Sequence, residues 1–147
     1  MYYNKKIIKS ANRTLASELS SIKNLKSTFN SNFCDAVNLI YNTKGKVVIT
    51  GVGKSAHIGN KISATLTSTG TPSYFIHATE ASHGDLGSIK KEDCVVAISN
   101  SGETSELNNI IHFIKRFNIK LISISSNAKS TLHKNSTMGI LYKKPIE

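Results

Sequence analysis

Cysteine and acidic residues are scarce in this chain of 147 residues, and long apolar runs are missing. The two cysteines, Cys34 and Cys94, are too far apart for a C-x-x-C pair or a metal-ligand spacing. Each lies in an apolar run, so we expect two small buried side chains in a reducing compartment. No run approaches the roughly 18 apolar residues of a membrane helix, and Met1–Asn12 lacks the apolar core of a signal peptide. The sequence therefore predicts a cytoplasmic protein without a membrane segment.

Acidic side chains are outnumbered by basic ones, with 9 Asp and Glu against 19 Lys and Arg, which gives a net charge of +10. Such an excess is typical of proteins that bind nucleic acid, a membrane surface or a small anionic substrate. The basic residues are mostly single or paired, as at Lys5-Lys6 and Lys90-Lys91, whereas nucleic-acid-binding proteins cluster them. We therefore expect no nucleic-acid or membrane partner, and we ascribe most of the charge to a composition rich in Lys, Asn and Ile.

The spacing of apolar residues divides the chain at residue 45. Before that point apolar residues recur every three or four positions, which predicts an N-terminal helical segment over residues 1–45. A shorter helix through Phe33, Val37 and Ile40 should begin with Ser31 or Asn32 as its N-cap. The longer apolar stripe before it consists of Ile8, Ala11, Leu15, Leu19, Ile22 and Leu25.

Residues 46–147 alternate short apolar strands with amphipathic helices. This alternation indicates βαβ units. We predict an α/β fold, a doubly wound three-layer sandwich with a five-stranded parallel sheet. The N-terminal helices should pack on this sheet or on a partner subunit. Ligands bind beyond the carboxyl ends of such strands. The predicted strands are Val47–Ile49, Ser73–Ile76, Cys94–Ile98, Leu121–Ile124 and Gly139–Tyr142, and the helix over Thr104–Phe117 should bury Leu107, Ile110, Ile111, Ile114 and Phe117.

A glycine-rich turn, Gly51 to Ala56, follows the first strand and allows several interpretations. Its Lys-Ser pair matches the end of a P-loop, but the first glycine of that motif would fall at Val48, inside the strand. Gly51, Gly53 and Ala56 fit a dinucleotide fingerprint, but no acid ends the second strand, where that fingerprint needs one. Two further interpretations remain: the turn begins a helix whose N-terminus binds a phosphate or another anion, or it is a tight turn without a ligand.

Three hydroxyl residues surround a glycine in the loop after the third strand, Ser99-Asn100-Ser101-Gly102-Glu103-Thr104. Backbone N–H groups and the positive end of a helix dipole face such a loop, and hydroxyls add donors to a phosphate without adding charge. The alternative is ordinary N-capping by one Ser or Thr, with Glu106 in the first helical turn. Because one hydroxyl suffices for a cap, the pattern favours a phosphate site.

A third candidate segment, His83-Gly84-Asp85, lies in a loop that the fold places beside these two. A loop histidine is more often solvated than catalytic, but the two anion-binding turns nearby make His83 a candidate site residue. The remaining histidines have no comparable neighbours, and we expect no role for them: His57, His77, His112 and His133.

Two segments are similar to a known family. Gly51–Gly87, with its TGTPS and ASHGDLG stretches, resembles the core of arabinose-5-phosphate isomerases. Ala97–Glu106 resembles the phosphate-binding signature of the wider SIS (sugar isomerase) family. The resemblance covers nearly the whole chain and implies a flavodoxin-like SIS domain over residues 46–147. It also implies an enzyme that interconverts D-ribulose 5-phosphate and D-arabinose 5-phosphate and so supplies the Kdo sugar of lipopolysaccharide. The reaction would need no cofactor. From the family we expect a homo-oligomer, namely a tetramer.

The resemblance further implies roles for the matching residues. Lys54 would contact substrate or stabilise an enediolate, Glu106 would be an active-site glutamate, and Glu147 would be a candidate general base. His83 would act in ring opening and could also hold an inhibitory zinc ion. The residues of the implied phosphate site are Ser55, Ser99, Ser101 and Thr104, together with Gly53 and Gly102 of the same loops.

These roles agree with the chemistry of aldose–ketose exchange, which moves a proton between two neighbouring carbons through an enediolate. A carboxylate whose pKa is raised by burial can both accept and donate that proton. A lysine such as Lys54 offsets the charge that develops on the enediolate oxygen. The sequence therefore favours an isomerase.

The family pattern continues past Glu147, with a final helix, a further histidine and usually CBS domains. From the resemblance we expect a chain cut short within the SIS domain, in which a terminal Glu147 has nothing after it to hold it in place. Three hypotheses follow: an isomerase, a non-catalytic sugar-phosphate-binding module, and an eroded remnant without activity.

Overall fold

The computed structural model describes residues 2–81 and 83–144. Its helices are α1 (Tyr2–Asn24), α2 (Ser31–Tyr41), α3 (Lys54–Ser68), α4 (Ala78–Ala81), α5 (Leu107–Phe117) and α6 (Thr131–Lys134), with 3-10 turns at Leu25–Thr28 and Asp85–Ser88. Its strands are β1 (Val47–Gly51), β2 (Ser73–His77), β3 (Cys94–Ile98), β4 (Lys120–Ser125) and β5 (Met138–Leu141). All five predicted strands are present, each within two residues of its predicted bounds.

The five strands form one parallel sheet in the order β2-β1-β3-β4-β5. The helices α2 and α3 pack on one face, where β1 contributes Val47 and Ile49. The helices α4, α5 and α6 pack on the other face, where β3 contributes Val95 and Ala97. Because both faces are covered, β1 and β3 consist of buried, mostly β-branched residues without polar alternation. The predicted doubly wound α/β sandwich is confirmed.

Three predictions about single side chains were wrong. The N-cap of α2 is Asn30, which has an extended backbone and whose side chain accepts a hydrogen bond from the Phe33 N–H at 3.2 Å. Phe117 is exposed because α5 ends there: Asn118 takes the left-handed conformation (φ 52°) and the buried Ile119 follows it. Cys34 is exposed, whereas burial raises the pKa of the Cys94 thiol to about 11.

The helix α1 has the predicted apolar stripe but does not bury it against the sheet. Ile8 is 59% exposed and Ile22 is 62% exposed, and the other large side chains of the stripe are similarly open. A stripe of this width normally faces a core. Within the described residues, none of the helices combines the length and apolar character that a bilayer span requires.

Candidate active site

The two sequence motifs follow neighbouring strands that lead to opposite faces of the sheet. β1 continues into α3 on one face, and β3 continues towards α5 on the other. The register places Gly51 beside Ile98, so both loops begin at the same level. In a parallel sheet such a divergence opens a crevice beyond the carboxyl ends of the strands. We call Gly51–Ser55 the glycine turn and Ser99–Glu106 the hydroxyl loop.

The glycine turn brings the start of α3 close to the end of β3. A Cβ atom at Gly51 would lie 3.1 Å from the Ile98 carbonyl oxygen and 3.2 Å from the Ser55 Cβ, so a side chain here would require these neighbours to move by a few tenths of an ångström. Gly53 precedes α3 with a φ of 58° and supplies no side-chain cap. The Ala56 and His57 N–H groups donate to the Gly53 carbonyl at 3.0 and 3.3 Å, which leaves the N–H groups of Lys54 and Ser55 without an intrahelical acceptor. They lie at the carboxyl edge of the sheet, where the Lys54 side chain is exposed and Ser55 is partly exposed.

The hydroxyl loop is organised around Ser99, which is only 4% exposed. The Ser99 Oγ accepts a hydrogen bond from the Gly102 N–H at 3.0 Å and lies 2.7 Å from the Thr104 Oγ1. The two hydroxyls share one hydrogen bond, so one of their two protons remains to donate to a ligand. The exposed Ser101 accepts from the Glu103 N–H at 3.2 Å and keeps its own proton. The loop thus offers two hydroxyl donors in fixed positions.

None of these hydroxyls caps the following helix. The helix α5 begins at Leu107 rather than at the predicted Thr104, and Glu106 precedes it without a side-chain cap. Ser105 and Glu106 form a turn instead, in which the Leu107 N–H donates to the Thr104 carbonyl at 3.1 Å. N-capping of α5 therefore does not explain why the loop has three hydroxyl residues. The positive end of the α5 dipole faces this loop.

The hydroxyl loop is also fixed by the start of α6. Gly102 has a φ of 68°, its carbonyl accepts from the Leu132 N–H at 3.1 Å, and a Cβ atom there would overlap the Ser130 side chain. The Glu103 Oε1 accepts from the Thr131 N–H at 2.8 Å. Hydrogen bonds to Thr131 lower the pKa of Glu103. Two successive loop residues are therefore tied to one helix.

Asn100 ties the loop to two further elements. Its carbonyl accepts from the Ser126 N–H at 3.0 Å and from the Ser126 Oγ at 2.8 Å. Its Oδ1 accepts from the Tyr142 hydroxyl, beyond the end of β5, at 2.9 Å. The sequence predicted Asn100 within the hydroxyl-rich loop and Tyr142 at the end of a strand, but no role for Asn100, Ser126 or Tyr142 in the site. Residues 26 and 42 positions apart carry no local pattern that would reveal these bonds.

The structure lowers the pKa of Glu106. The largest cause is its own backbone N–H, followed by the hydrogen bond that the Ser105 hydroxyl donates at 2.8 Å, and the charge of His77 adds to the effect. His77 ends β2 in register with Gly51, at the same edge of the sheet as both loops. Sequence analysis gave His77 no role, although its position at a strand end could have signalled it.

Two predicted site residues are not placed by contacts with the loops. His83 is exposed in the turn after α4, where its backbone N–H donates to the Glu80 carbonyl at 2.8 Å. Glu147 lies outside the described residues. Residues 2–81 and 83–144 contain no group of three His, Cys, Asp or Glu side chains that could hold a metal ion. An inhibitory zinc ion at His83 therefore stays a prediction, and it would need further ligands from outside the described residues.

Comparison with known sequences extends this picture. A family model described as the SIS domain matches residues 39–147. Over 140 residues the chain is 46% identical to the arabinose 5-phosphate isomerase KdsD of Pseudomonas aeruginosa, covering 95% of this chain and 43% of that protein. Over 131 residues it is 47% identical to the arabinose 5-phosphate isomerase KpsF of Escherichia coli, covering 88% of this chain and 40% of that protein. The chain thus spans less than half the length of these relatives.

A solved structure has the same fold. A protein of Escherichia coli CFT073 in complex with arabinose 5-phosphate aligns with a TM-score of 0.89 and 37% sequence identity, covering 98% of this chain and 76% of that one. The similarity therefore includes the sheet, both loops at its carboxyl edge and the N-terminal helices.

Proposed function

This chain belongs to the SIS domain family, and from that membership we propose that it is an aldose–ketose isomerase that interconverts D-ribulose 5-phosphate and D-arabinose 5-phosphate. The observation that carries the proposal is the hydroxyl loop, in which Ser99 and Thr104 hold each other at 2.7 Å beside the start of α5. The identity to two arabinose 5-phosphate isomerases and the likeness to a structure in complex with arabinose 5-phosphate support the choice of substrate.

The substrate phosphate would bind between the two loops. The Ser99–Thr104 pair and Ser101 supply hydroxyl donors, and Ser55 adds one from the other side of the crevice. The starts of α3 and α5 both direct positive dipole ends to this place, and α3 adds the N–H groups of Lys54 and Ser55. The net charge of +10 attracts a phosphate dianion to the protein as a whole. We infer that Gly53 and Gly102 serve the site by letting the two turns form.

The sugar end would then lie near Lys54 and Glu106. A base removes a proton from C1 of the ketose, an enediolate forms, and a proton returns to C2 of the aldose, while the hydroxyl proton passes between the two oxygens. Lys54 would stabilise the enediolate oxygen. Because its pKa is lowered, Glu106 stays an anion at neutral pH and suits a role in binding sugar hydroxyls. We therefore keep Glu147 as the proposed base and His83 as the proposed ring-opening residue.

The wider setting is part of the same proposal. We infer a cytoplasmic enzyme that feeds Kdo and lipopolysaccharide synthesis, needs no cofactor and could hold an inhibitory zinc ion at His83. The stripe of α1, with Leu15 at 55% and Leu19 at 49% exposure, supports a homo-oligomer in which a second copy covers this helix. Light scattering of the purified protein tests this: a monomer at micromolar concentration would contradict it.

The experiment for the main proposal combines a thermal melt with a turnover assay. Arabinose 5-phosphate at 100 times its Kd should stabilise the protein by about 2.7 kcal/mol, and ribulose 5-phosphate should appear. Ser99→Ala should weaken binding at least about tenfold, because a hydrogen bond to a charged group contributes about 1.5–3 kcal/mol. Thr104→Val should act in the same direction.

Ser21→Ala is the matched control, because Ser21 is partly exposed on α1, away from both loops in sequence, and bonds only to the Ser17 carbonyl in the described structure. It should leave both the shift and the turnover unchanged. A cooperative melt without any shift, and without turnover, would refute the isomerase. A shift without turnover would favour the non-catalytic sugar-phosphate-binding module.

A further inference from the structure

Two buried hydroxyls near the carboxyl edge of the sheet have no hydrogen-bond partner among the described residues. They are the Thr50 Oγ1 of β1 and the Ser125 Oγ of β4, whose side chains are 1% and 0% exposed. A buried hydroxyl without a partner is less stable than an apolar group of the same shape, because it has given up its hydrogen bonds to water. Such a group in a folded protein calls for an explanation, and a ligand that brings it a partner is one.

Ser125 lies beside Ser99, the residue around which the hydroxyl loop is organised. Ile98 of β3 is paired with Ile124 of β4, and the Ser99 N–H donates to the Ile124 carbonyl at 3.1 Å, so Ser99 and Ser125 follow as neighbours. Because side chains alternate along a strand, both serines share the face of Ala97, which α4, α5 and α6 cover. Neighbouring strands lie about 4.8 Å apart, which is close enough for two serine hydroxyls to meet.

The hydrogen bonds of Ser99 explain why Ser125 is unpaired in this structure. A serine hydroxyl has one proton and two lone pairs. The Ser99 Oγ accepts from the Gly102 N–H at 3.0 Å and lies 2.7 Å from the Thr104 Oγ1, where either hydroxyl can be the donor. If Thr104 donates, both lone pairs of Ser99 are occupied and none remains for Ser125. The unpaired Ser125 therefore favours Thr104 as the donor.

A bound phosphate changes this arrangement, because hydrogen bonds to a charged acceptor are about twice as strong as neutral ones. The phosphate oxygens draw the protons of both Ser99 and Thr104, and one lone pair of Ser99 becomes free. We propose that Ser125 is a positioning residue of the phosphate site, whose hydroxyl donates to the Ser99 Oγ while Ser99 donates to phosphate. Ser125 then gains its partner only in the bound state, and it directs and polarises the Ser99 hydroxyl. The inference rests on the proposed function, in which the hydroxyl loop holds the phosphate.

This role predicts that Ser125→Ala weakens binding without weakening the fold. In the absence of phosphate the variant should melt at the same temperature as the unaltered protein or higher, because it loses an unpaired buried hydroxyl. Its affinity for inorganic phosphate, measured by NMR titration, should fall about three- to tenfold, because the bound state loses one hydrogen bond. The KM for arabinose 5-phosphate should rise by a similar factor with little change in kcat, since the phosphate is not the reacting end of the sugar.

Ser123→Ala is the matched control on the same strand. Ser123 is also 0% exposed and shares the face of Ala97, but its hydroxyl donates to the Ser136 Oγ at 3.0 Å. The variant should lower the melting temperature and leave the affinity for phosphate unchanged, which is the reverse pattern. Thr50→Val removes the other unpaired hydroxyl, which is in register with Ala97 rather than with Ser99. It should lower neither the melting temperature nor the affinity.

A double variant decides whether Ser125 acts through Ser99. In Ser99→Ala the acceptor is gone, so adding Ser125→Ala should cause no further loss of phosphate affinity. If the two losses multiply, if Ser125→Ala binds phosphate as tightly as the unaltered protein, or if it lowers the melting temperature as Ser123→Ala does, the positioning role is wrong. If Ser99→Ala itself keeps full affinity for phosphate, the hydroxyl loop is not the phosphate site, and the proposed function and this inference fail together.

Discussion

The two loops at the carboxyl edge of the sheet are held in their conformations in different ways. The hydroxyl loop is held from outside, because Asn100, Gly102 and Glu103 accept hydrogen bonds from three other segments of the chain. The glycine turn is held by its own backbone, with Gly51 packed against the end of β3 and Gly53 at a φ of 58°. One loop depends on distant parts of the chain, and the other depends on two residues that lack side chains.

This difference predicts how each loop responds to an added methyl group. Gly102 and Gly53 both have positive φ angles, 68° and 58°. At Gly102 a Cβ atom would overlap Ser130, whereas at Gly53 nothing lies within 4 Å of it. The same substitution therefore adds conformational strain at both sites but a steric conflict at only one.

The largest effect should come from Gly102→Ala. Strain at a positive φ costs about 1–2 kcal/mol, and displacing Ser130 adds about 1–3 kcal/mol of overpacking. We expect the free energy of unfolding to fall by about 3 kcal/mol in urea denaturation. Affinity for inorganic phosphate should fall as well, because Ser99 accepts a hydrogen bond from the N–H of this residue.

Ser130→Gly offers a check on the steric part of this prediction. In the Gly102→Ala background it opens the space that the new methyl group needs, and part of the lost stability should return. If Gly102→Ala destabilises no more than Gly53→Ala does, the loop adapts to the methyl group and the contrast between the two loops is not real.

The same contrast explains what the sequence could predict. The parallel sheet followed from alternating apolar segments, and the two loops followed from their local glycine and hydroxyl patterns. Both are short-range signals. The structure has the predicted parallel sheet, and the two loops follow β1 and β3 as predicted. The ties from Ser126 and Tyr142 to Asn100 span 26 and 42 residues, and no periodicity encodes a hydrogen bond between loops that the fold brings together.

The helices show a second limit. α1 and α5 have apolar residues at the same spacing, yet Ile110 and Ile114 are nearly inaccessible whereas Ile8 and Ile22 are more than half exposed. Periodicity identifies the apolar face of a helix but not the surface that covers it. The start of α5 was predicted three residues too early because hydroxyls followed by a glutamate resemble a cap.

Gly53→Ala should have the intermediate effect. Its backbone, with φ 58° and ψ −127°, suits glycine and strains any other residue by about 1–2 kcal/mol. With no atom in the way, the loss of unfolding free energy should stay within that strain. Since Gly53 sets the direction of Lys54, kcat should fall more than phosphate affinity, which steady-state kinetics and a phosphate titration can separate. An equal fall in both would mean that this turn binds phosphate as directly as the hydroxyl loop does.

The smallest effect concerns the charge of Glu103, which joins the hydroxyl loop to α6. Its pKa in the folded protein lies below the ordinary value of 4.5, so the carboxylate stabilises this link above that pH, and the contribution is lost as the pH falls through the lowered pKa. The amide proton of Thr131, which bonds to Glu103, should therefore shift in NMR spectra with a midpoint below 4.5. Glu103→Gln keeps an acceptor but cannot titrate, so it should abolish that shift, whereas Glu106→Gln should leave it in place. A midpoint at or above 4.5 would mean that the hydrogen bond from Thr131 does not favour the charged form, and the outside support of the hydroxyl loop would then rest on Asn100 and Gly102 alone.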